Sequence, residues 1–463
     1  MVPHKEAKEL TAENAERAEE KSLELTIEKM VYGGDGLARL PADEKGPGKA
    51  AFIPFALEGE RVEAGIVEEK PGFVRARADR ILTPSPERVE PRCPYFLRCG
   101  GCHYQHASYE RQLKIKAGIL RETLRRTAKL DLEDEIHIHP SPPWQYRNRT
   151  RMRLLAGASP QEFALGYYRF GSHDLLPVEE CPISSPLINR AIALLWELGR
   201  AGEVSPEAVE VEFFANAEDT ELMVELAVGE RPEKAKPYIE DFAAGLRRAM
   251  PAVIGVAVFR LNRQGALVRV DVPPELEEEF GVDELTYRTR TANYVVSAGS
   301  FFQTNRYLTD ELVEIVIGGR DGGFALDLYA GTGLFSLPLS QSFHEVAAVE
   351  SAPFAFHDLR RNCPSNVSGY RVTTDTFLAK LPPEAAFDLV IADPPRSGLG
   401  EKVARALAEV STPRITYVSC DPATLARDLR VLLDAGSFRV EKTHLVDLFP
   451  QTYHIESVVQ LVR

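Results

Sequence analysis

The chain has 463 residues, 44% hydrophobic and 27% charged, with a formal net charge of −14. That length exceeds what one hydrophobic core supports, so two or three domains are expected, and the composition excludes a disordered or fibrous protein. No apolar run reaches membrane-spanning length and residues 1–21 have no apolar core of a signal peptide, so a cytoplasmic monomer with no membrane partner is expected.

An acidic chain argues, at face value, against a nucleic-acid partner. Charge is local, however. Between Arg111 and Arg153, eleven Lys or Arg stand against five Asp or Glu, a basic patch able to meet phosphates on an otherwise acidic body.

Residues 1–21, mostly charged residues and alanine, read as a flexible leader. From Ser22, Leu23, Leu25 and Ile27 alternate with Glu24, Thr26 and Glu28, a half-buried strand that Gly33, Gly34 and Gly36 break with a turn. Further short strands in AFIPFALEGERVEAGIVEE and GFVRARADRI predict a small OB-like β-barrel over 22–82. The run AFIPFALEGERV resembles the RNA-binding module called TRAM.

Pro84, Pro86, Pro91 and Pro94 mark a linker into a central α+β domain, 83–295. It opens on CPYFLRCGGCHYQH, in which Cys93, Cys99 and Cys102 are closely spaced around a glycine pair, and the distant Cys181 can supply a fourth thiolate. Four thiolates suit a [4Fe–4S] cluster or tetrahedral zinc, and spacing does not separate the two; His103 and His106 keep zinc open. Residues 109–130 predict a helix with a basic face, able to pack on the C-terminal domain. In WQYRNRTRMRL, Arg147, Arg149, Arg151 and Arg153 alternate and so share one side of a strand, where anions would relieve their repulsion; RNA phosphates are the expected contact. The segments VEVEFFANA, ELMVELAVG and VIGVAVFRLN predict an antiparallel sheet, with a helix at 188–198 beside it.

From about Phe324, strands alternate with helices, the mark of a parallel doubly wound sheet. Open α/β sheets bind ligands beyond the carboxyl ends of their strands. Gly331 and Gly333 follow the first strand, Glu350 ends EVAAVE nineteen residues after Gly331, Asp375 follows a third strand and Asp393 a fourth. RITYVSCDPATLARDL then delivers Cys420 from a strand end, a candidate nucleophile. A dinucleotide site is the alternative, but Ser336 stands where the third glycine of GxGxxG belongs and Cys420 would be idle. S-adenosylmethionine, which lacks a pyrophosphate, is therefore favoured.

At AGSFFQTN, DLYAGTGLFSL, DPPRSGL, YVSCDPATLARDL and FPQTYHIE, the chain resembles the RNA uracil-5-methyltransferases, with the motifs in the family's order. The resemblance implies a Rossmann-like class I methyltransferase domain over 296–463. It implies S-adenosylmethionine held by Gln303, Tyr329, Glu350 and Asp393, with Asp375 an adenine contact, Cys420 as nucleophile and Glu456 as base; Gly331 and Gly333, lacking side chains, let such a donor approach the backbone. It further implies a [4Fe–4S] cluster on Cys93, Cys99, Cys102 and Cys181, and an RNA partner, ribosomal RNA ahead of transfer RNA. Some relatives have asparagine where Asp421 stands, and an extra carboxylate beside the thiol would raise its pKa. Flipping the target base would let Phe301 or Phe302 stack on it or its neighbour. Two rivals remain: amine methylation of a purine, for which Arg396 stands where an aromatic is needed, and an iron–sulfur RNA-binding or redox-sensing protein without methyl transfer.

Overall fold

The computed structural model describes residues 23–42, 48–132, 135–156, 159, 162–229, 232–260, 275–435 and 438–463; the leader expected at 1–21 lies outside them. The chain falls into two compact units. The first holds the described residues up to Pro91 with Cys102–Ile115 and Gln451–Tyr453, and the second holds Arg92–Gly101, Lys116–Pro450 and His454–Arg463.

In the first unit, a six-stranded sheet runs in the order Leu23–Thr26, Arg61–Glu69, Phe73–Thr83, Ala50–Pro54, Asp35–Arg39, Lys29–Met30. The two outermost strands are joined by Ile27 and Glu28 alone, so the sheet curls back on itself as a small barrel. Its core is filled by short side chains, Ala38, Ala51, Ala64 and Ala76, among Ile27, Ile53, Val62 and Val74. The tight turn rests on Gly33 and Gly34, at φ +107° and +97°, which residues with a Cβ rarely adopt. Glu60, buried beneath the sheet, is gripped by Arg88 at 2.6 and 2.7 Å, and these charge-assisted bonds keep its carboxyl below the ordinary range although burial pushes it up.

The second unit contains two large sheets. One runs Leu175–Pro177, Ala164–Tyr168, Arg149–Leu155, Ala208–Ala215, Leu222–Val228, Val253–Arg260, Glu275–Gly281. The helices Pro186–Arg200 and Pro232–Ala249 share its core, the second through Ile239, Phe242, Ala243 and Leu246 at helical spacing. The sheet is not wholly antiparallel, as expected, because Leu222–Val228 and Val253–Arg260 pair in parallel. The intervening helix carries the chain back to start the next strand from the same end.

The other sheet runs Val367–Tyr370, Phe343–Val349, Gly322–Leu328, Leu389–Ala392, Arg414–Ser419, Glu456–Val462, Arg439–Val446, His137–His139. The first five strands are parallel, as the alternation with helices predicts. Glu456–Val462 is inserted antiparallel between Arg414–Ser419 and Arg439–Val446. The helix expected at 109–130 runs Tyr109–Thr123, continues as a π-helical turn over Leu124–Ala128 packed on Pro422–Asp434, and ends at Lys129 with φ +56°. Among the described residues no helix is long and apolar enough to cross a membrane.

Candidate active site

Parallel strands put their carboxyl ends along one rim of a sheet, and the strand that runs the other way contributes its amino end to the same rim. Ser419 pairs with Ser457, so Cys420, one residue beyond the first strand, stands across from Glu456, the first residue of the second. Sequence-distant groups thereby become neighbours. Burial pushes the Cys420 thiol up to about 12; Glu456 and Asp393 add to this, Arg396 opposes it and Asp421 contributes least. Burial, with the charge of Asp393, also holds the Glu456 carboxyl well above its usual range. Such a carboxylate is a stronger base than a solvated one.

Asp421 bears on the thiol less than its sequence position suggests because it has another task. Its Oδ1 accepts the N–H groups of Ala423 and Thr424 at 3.0 and 3.1 Å, capping the helix Pro422–Asp434, and Pro422 fills the first helical position. Asparagine would cap equally well.

Beside this pair lie three carboxylates at strand ends. Burial raises Asp393 to about 7. Asp327, which sequence reasoning passed over, is fully buried and is likewise raised to about 7, first by burial and then by Asp393 and Glu350, against the hydrogen bond from Ser336. The signal was a carboxylate inside the apolar run ALDLY. Its Oδ2 accepts the Ser336 hydroxyl at 2.5 Å, while its Oδ1 has no partner among the described residues. Glu350 accepts the N–H of Gly331 at 2.9 Å and of Ala352 at 2.6 Å, locking the glycine loop to the second strand end.

The two glycines of that loop differ. At Gly331, φ is +56° and a Cβ would meet nothing within 4 Å, so the backbone faces open space. At Gly333, φ is +95° and a Cβ would stand 3.0 Å from Leu359 Cδ1 and Cys363 Sγ, so its hydrogen admits the helix Pro353–Asn362. Tyr329, at φ +63°, leads into the loop. An open backbone cradle beside an orphaned buried carboxylate oxygen suits a cationic ligand with hydroxyls, and S-adenosylmethionine fits that description. Asp375 lies at the start of the short helix Thr374–Leu378, held by Thr373 at 2.5 Å and Lys402 at 3.2 Å, and these bonds lower its carboxyl.

Gln303 follows Phe301 and Phe302, whose fates diverge. Phe302 is 2% exposed and packs against Tyr287 and Tyr294, whereas Phe301 is 65% exposed. Only Phe301 is available to stack on a base.

The arginine row is not an open phosphate-binding stripe. Glu210 and Glu212 on the facing strand stand in register with Arg153 and Arg151, and each is ion-paired to its opposite. Arg149, 8% exposed, pairs with Glu212 and, at 3.3 Å, with Glu225, lies over the Phe214 ring and donates to the Ser300 carbonyl at 2.5 Å. Repulsion along the row is relieved by protein carboxylates. Further along the expected basic patch, Arg111 pairs with Glu58 at 2.5 Å, while Lys114, Arg121, Arg125, Arg126 and Lys129 stay exposed.

Of the cysteines expected to bind metal, Cys93, Cys99 and Cys181 belong to the second unit and Cys102 to the first. All four are half-buried. Burial and then the neighbouring Cys181 and Cys93 push the Cys99 thiol up to about 11, and the Gly101 N–H points at Cys99 Sγ from 3.4 Å. Among the described residues, however, no three His, Cys, Asp or Glu side chains converge closely enough to hold a metal ion.

Comparison with known proteins supplies the remaining constraint. Residues 108–463 match the family model "tRNA (Uracil-5-)-methyltransferase" and residues 17–78 the TRAM domain. The chain is 32% identical to an uncharacterized RNA methyltransferase of Aquifex aeolicus, over 96% of this chain and 99% of that one. It is 31% identical to a 23S rRNA (uracil(1939)-C(5))-methyltransferase of Pectobacterium atrosepticum, over 95% and 93%. Its fold is similar to that of the Pyrococcus abyssi tRNA (uracil-54, C5)-methyltransferase solved with S-adenosyl-L-homocysteine, with a TM-score of 0.71, 24% identity and coverage of 95% and 100%. The chain belongs to the tRNA (uracil-5-)-methyltransferase family and is an S-adenosylmethionine-dependent RNA (uracil-C5)-methyltransferase with an N-terminal TRAM domain.

Proposed function

We propose that the protein methylates carbon 5 of one uridine in 23S ribosomal RNA through a covalent adduct on Cys420, with Glu456 as the base. The observation that carries this reading is the antiparallel pairing of Ser419 with Ser457, which sets a thiol and a buried carboxylate opposite each other on the ligand-binding rim. Carbon 5 of uracil is a poor nucleophile. Once the thiol proton has passed to water, Sγ adds to carbon 6 and the electrons of the 5,6 double bond move into an enolate whose carbon 5 attacks the methyl group. S-adenosylmethionine supplies that methyl on a positively charged sulfonium, which leaves as a neutral thioether. Glu456 takes the proton from carbon 5, the double bond re-forms and Sγ departs as thiolate.

Gln303, Tyr329, Gly331, Glu350 and Asp393 hold the donor in this reading, with Asp375 at its adenine, and Phe301 receives the flipped base or its neighbour. Ribosomal RNA is favoured over transfer RNA because the 23S rRNA relative matches at 31% identity across nearly the whole chain. We also assign a [4Fe–4S] cluster to Cys93, Cys99, Cys102 and Cys181. The cysteine spacing, the nearness of Cys93 and Cys181 to Cys99 and the N–H aimed at Cys99 Sγ support it, and no catalytic step passes through it. The deciding experiment uses two variants. Cys420→Ala should form neither product nor adduct, whereas Glu456→Gln should accumulate a methylated protein–RNA adduct that survives denaturing electrophoresis. Normal turnover by Cys420→Ala would overturn the mechanism, and mapping 5-methyluridine in a deletion strain would identify the RNA.

A further inference from the structure

The residues from Asp447 to Ile455 connect the strand Arg439–Val446 to Glu456. A carboxylate that must meet one proton on one face of a base has to be placed to within a fraction of an ångström, and Glu456, although paired with Val446, opens its strand, so the connection that enters it is the less constrained side. That connection is held from outside. Three successive carbonyls accept hydrogen bonds from side chains far away in sequence: Leu448 from Asn305 Nδ2 at 3.0 Å, Phe449 from Lys116 Nζ at 2.8 Å and Pro450 from the Tyr146 hydroxyl at 3.0 Å. Asp447 precedes them; its N–H donates to the His139 carbonyl at 3.0 Å, and its Oδ1 receives Lys116 Nζ at 2.6 Å.

Stability does not explain this arrangement. Lys116, Tyr146 and Asn305 are all fully buried, and so is Asp447. Burying an ammonium and a carboxylate costs about as much desolvation as their attraction returns, and an apolar pair of the same volume usually serves as well or better. What an apolar pair cannot do is fix a carbonyl. Lys116 spends its charge on holding both Asp447 and the Phe449 carbonyl, and Asn305 also anchors its own segment, its Oδ1 accepting the N–H groups of Tyr307 and Leu308 at 3.0 and 3.3 Å.

We propose that Lys116, Tyr146 and Asn305 form a carbonyl clamp on Leu448–Pro450 that positions the Glu456 carboxylate for removal of the carbon 5 proton. They are positioning residues, and the proposal rests on Glu456 acting as the base. The clamp bears on the step after methyl transfer far more than on attack by Cys420.

The experiment follows single-turnover methylation of an RNA substrate by rapid quench and denaturing electrophoresis, reading adduct formation and adduct decay separately. Tyr146→Phe removes one hydroxyl. The double variant Lys116→Met with Asp447→Asn removes the ion pair without stranding a buried charge. Each should form the adduct within about twofold of the wild-type rate but release it at least tenfold more slowly, since misplacement of about 1 Å costs up to a hundredfold. Glu456→Gln is run beside them. If Glu456→Gln accumulates no adduct, the base assignment fails; if it does accumulate and the clamp variants release theirs at the wild-type rate, the clamp fails. Formation and decay slowed by the same factor would show a merely structural role and also overturn it. Should the double variant not fold, Tyr146→Phe decides alone.

Discussion

The Cys420 thiol should be unusually inert in the free enzyme, and the extent is calculable. With a pKa of about 12, its thiolate fraction at pH 8 is about 10⁻⁴, against about a quarter for a free thiol of pKa about 8.5. A more basic thiolate is intrinsically more nucleophilic, by about fortyfold over that interval at a Brønsted slope of about 0.45. The two effects together leave Cys420 alkylating roughly sixtyfold more slowly than a free thiol at pH 8. Iodoacetamide labelling followed by peptide mass spectrometry separates Cys420 from the other five cysteines. Its rate should rise about tenfold per pH unit from pH 7 to beyond pH 10, without the plateau near pH 9 of an ordinary thiol. Glu456→Gln removes the largest charge contribution but leaves the burial, so the rate at alkaline pH should increase. A plateau below pH 9 in the wild type, or no acceleration in Glu456→Gln, would refute the view that burial and the facing carboxylate keep this thiol protonated.

Arg149→Met should destabilise the fold by about 3–5 kcal/mol in urea titrations, because Glu212 and Glu225 lose their buried partner. It should leave the salt dependence of RNA binding unchanged, whereas a phosphate contact would lower the slope by about 0.7. Gly331→Ala, at φ +56° with open space around it, should cost about 1–2 kcal/mol of stability yet weaken donor binding measurably by calorimetry. Gly333→Ala, crowded by Leu359 and Cys363, should cost more stability, read as a lower melting temperature. Protein purified anaerobically should be brown and absorb broadly near about 400 nm, as thiolate-ligated clusters do; colourless protein with stoichiometric zinc would replace iron–sulfur with a zinc site.

What could be read in advance depended on how local the cause is. The barrel strands and the alternating strands and helices after Phe324 follow from periodicity, because burial of one face is written along each segment. Arg147 to Arg153 misled because alternation shows which side of a strand a residue occupies and not what faces it; Glu210 and Glu212 carried the complementary alternation some sixty residues away. The parallel pairing of Leu222–Val228 with Val253–Arg260 was legible through the missed helix Pro232–Ala249, whose Ile239, Phe242, Ala243 and Leu246 have helical spacing. Cys420 and Glu456 were found as motif members, but their opposition arises from an antiparallel strand inserted between two others. The carbonyl clamp had no sequence signal at all, because hydrogen bonds to backbone carbonyls place no demand on the residue type that accepts them.

The three-residue strand His137–His139 completes the eight-stranded sheet by pairing in parallel with His444–Val446. Its partner is more than three hundred residues later in the chain, so the pairing cannot form before a long stretch of chain has been brought together. Until then Arg439–Val446 presents an open strand edge, the template on which other chains add and aggregate. A brief segment brought in from the far side of the chain thus acts as a gatekeeper for solubility. Its shortness is itself protective, since three residues leave too little unpaired backbone beyond them for another molecule to continue the sheet.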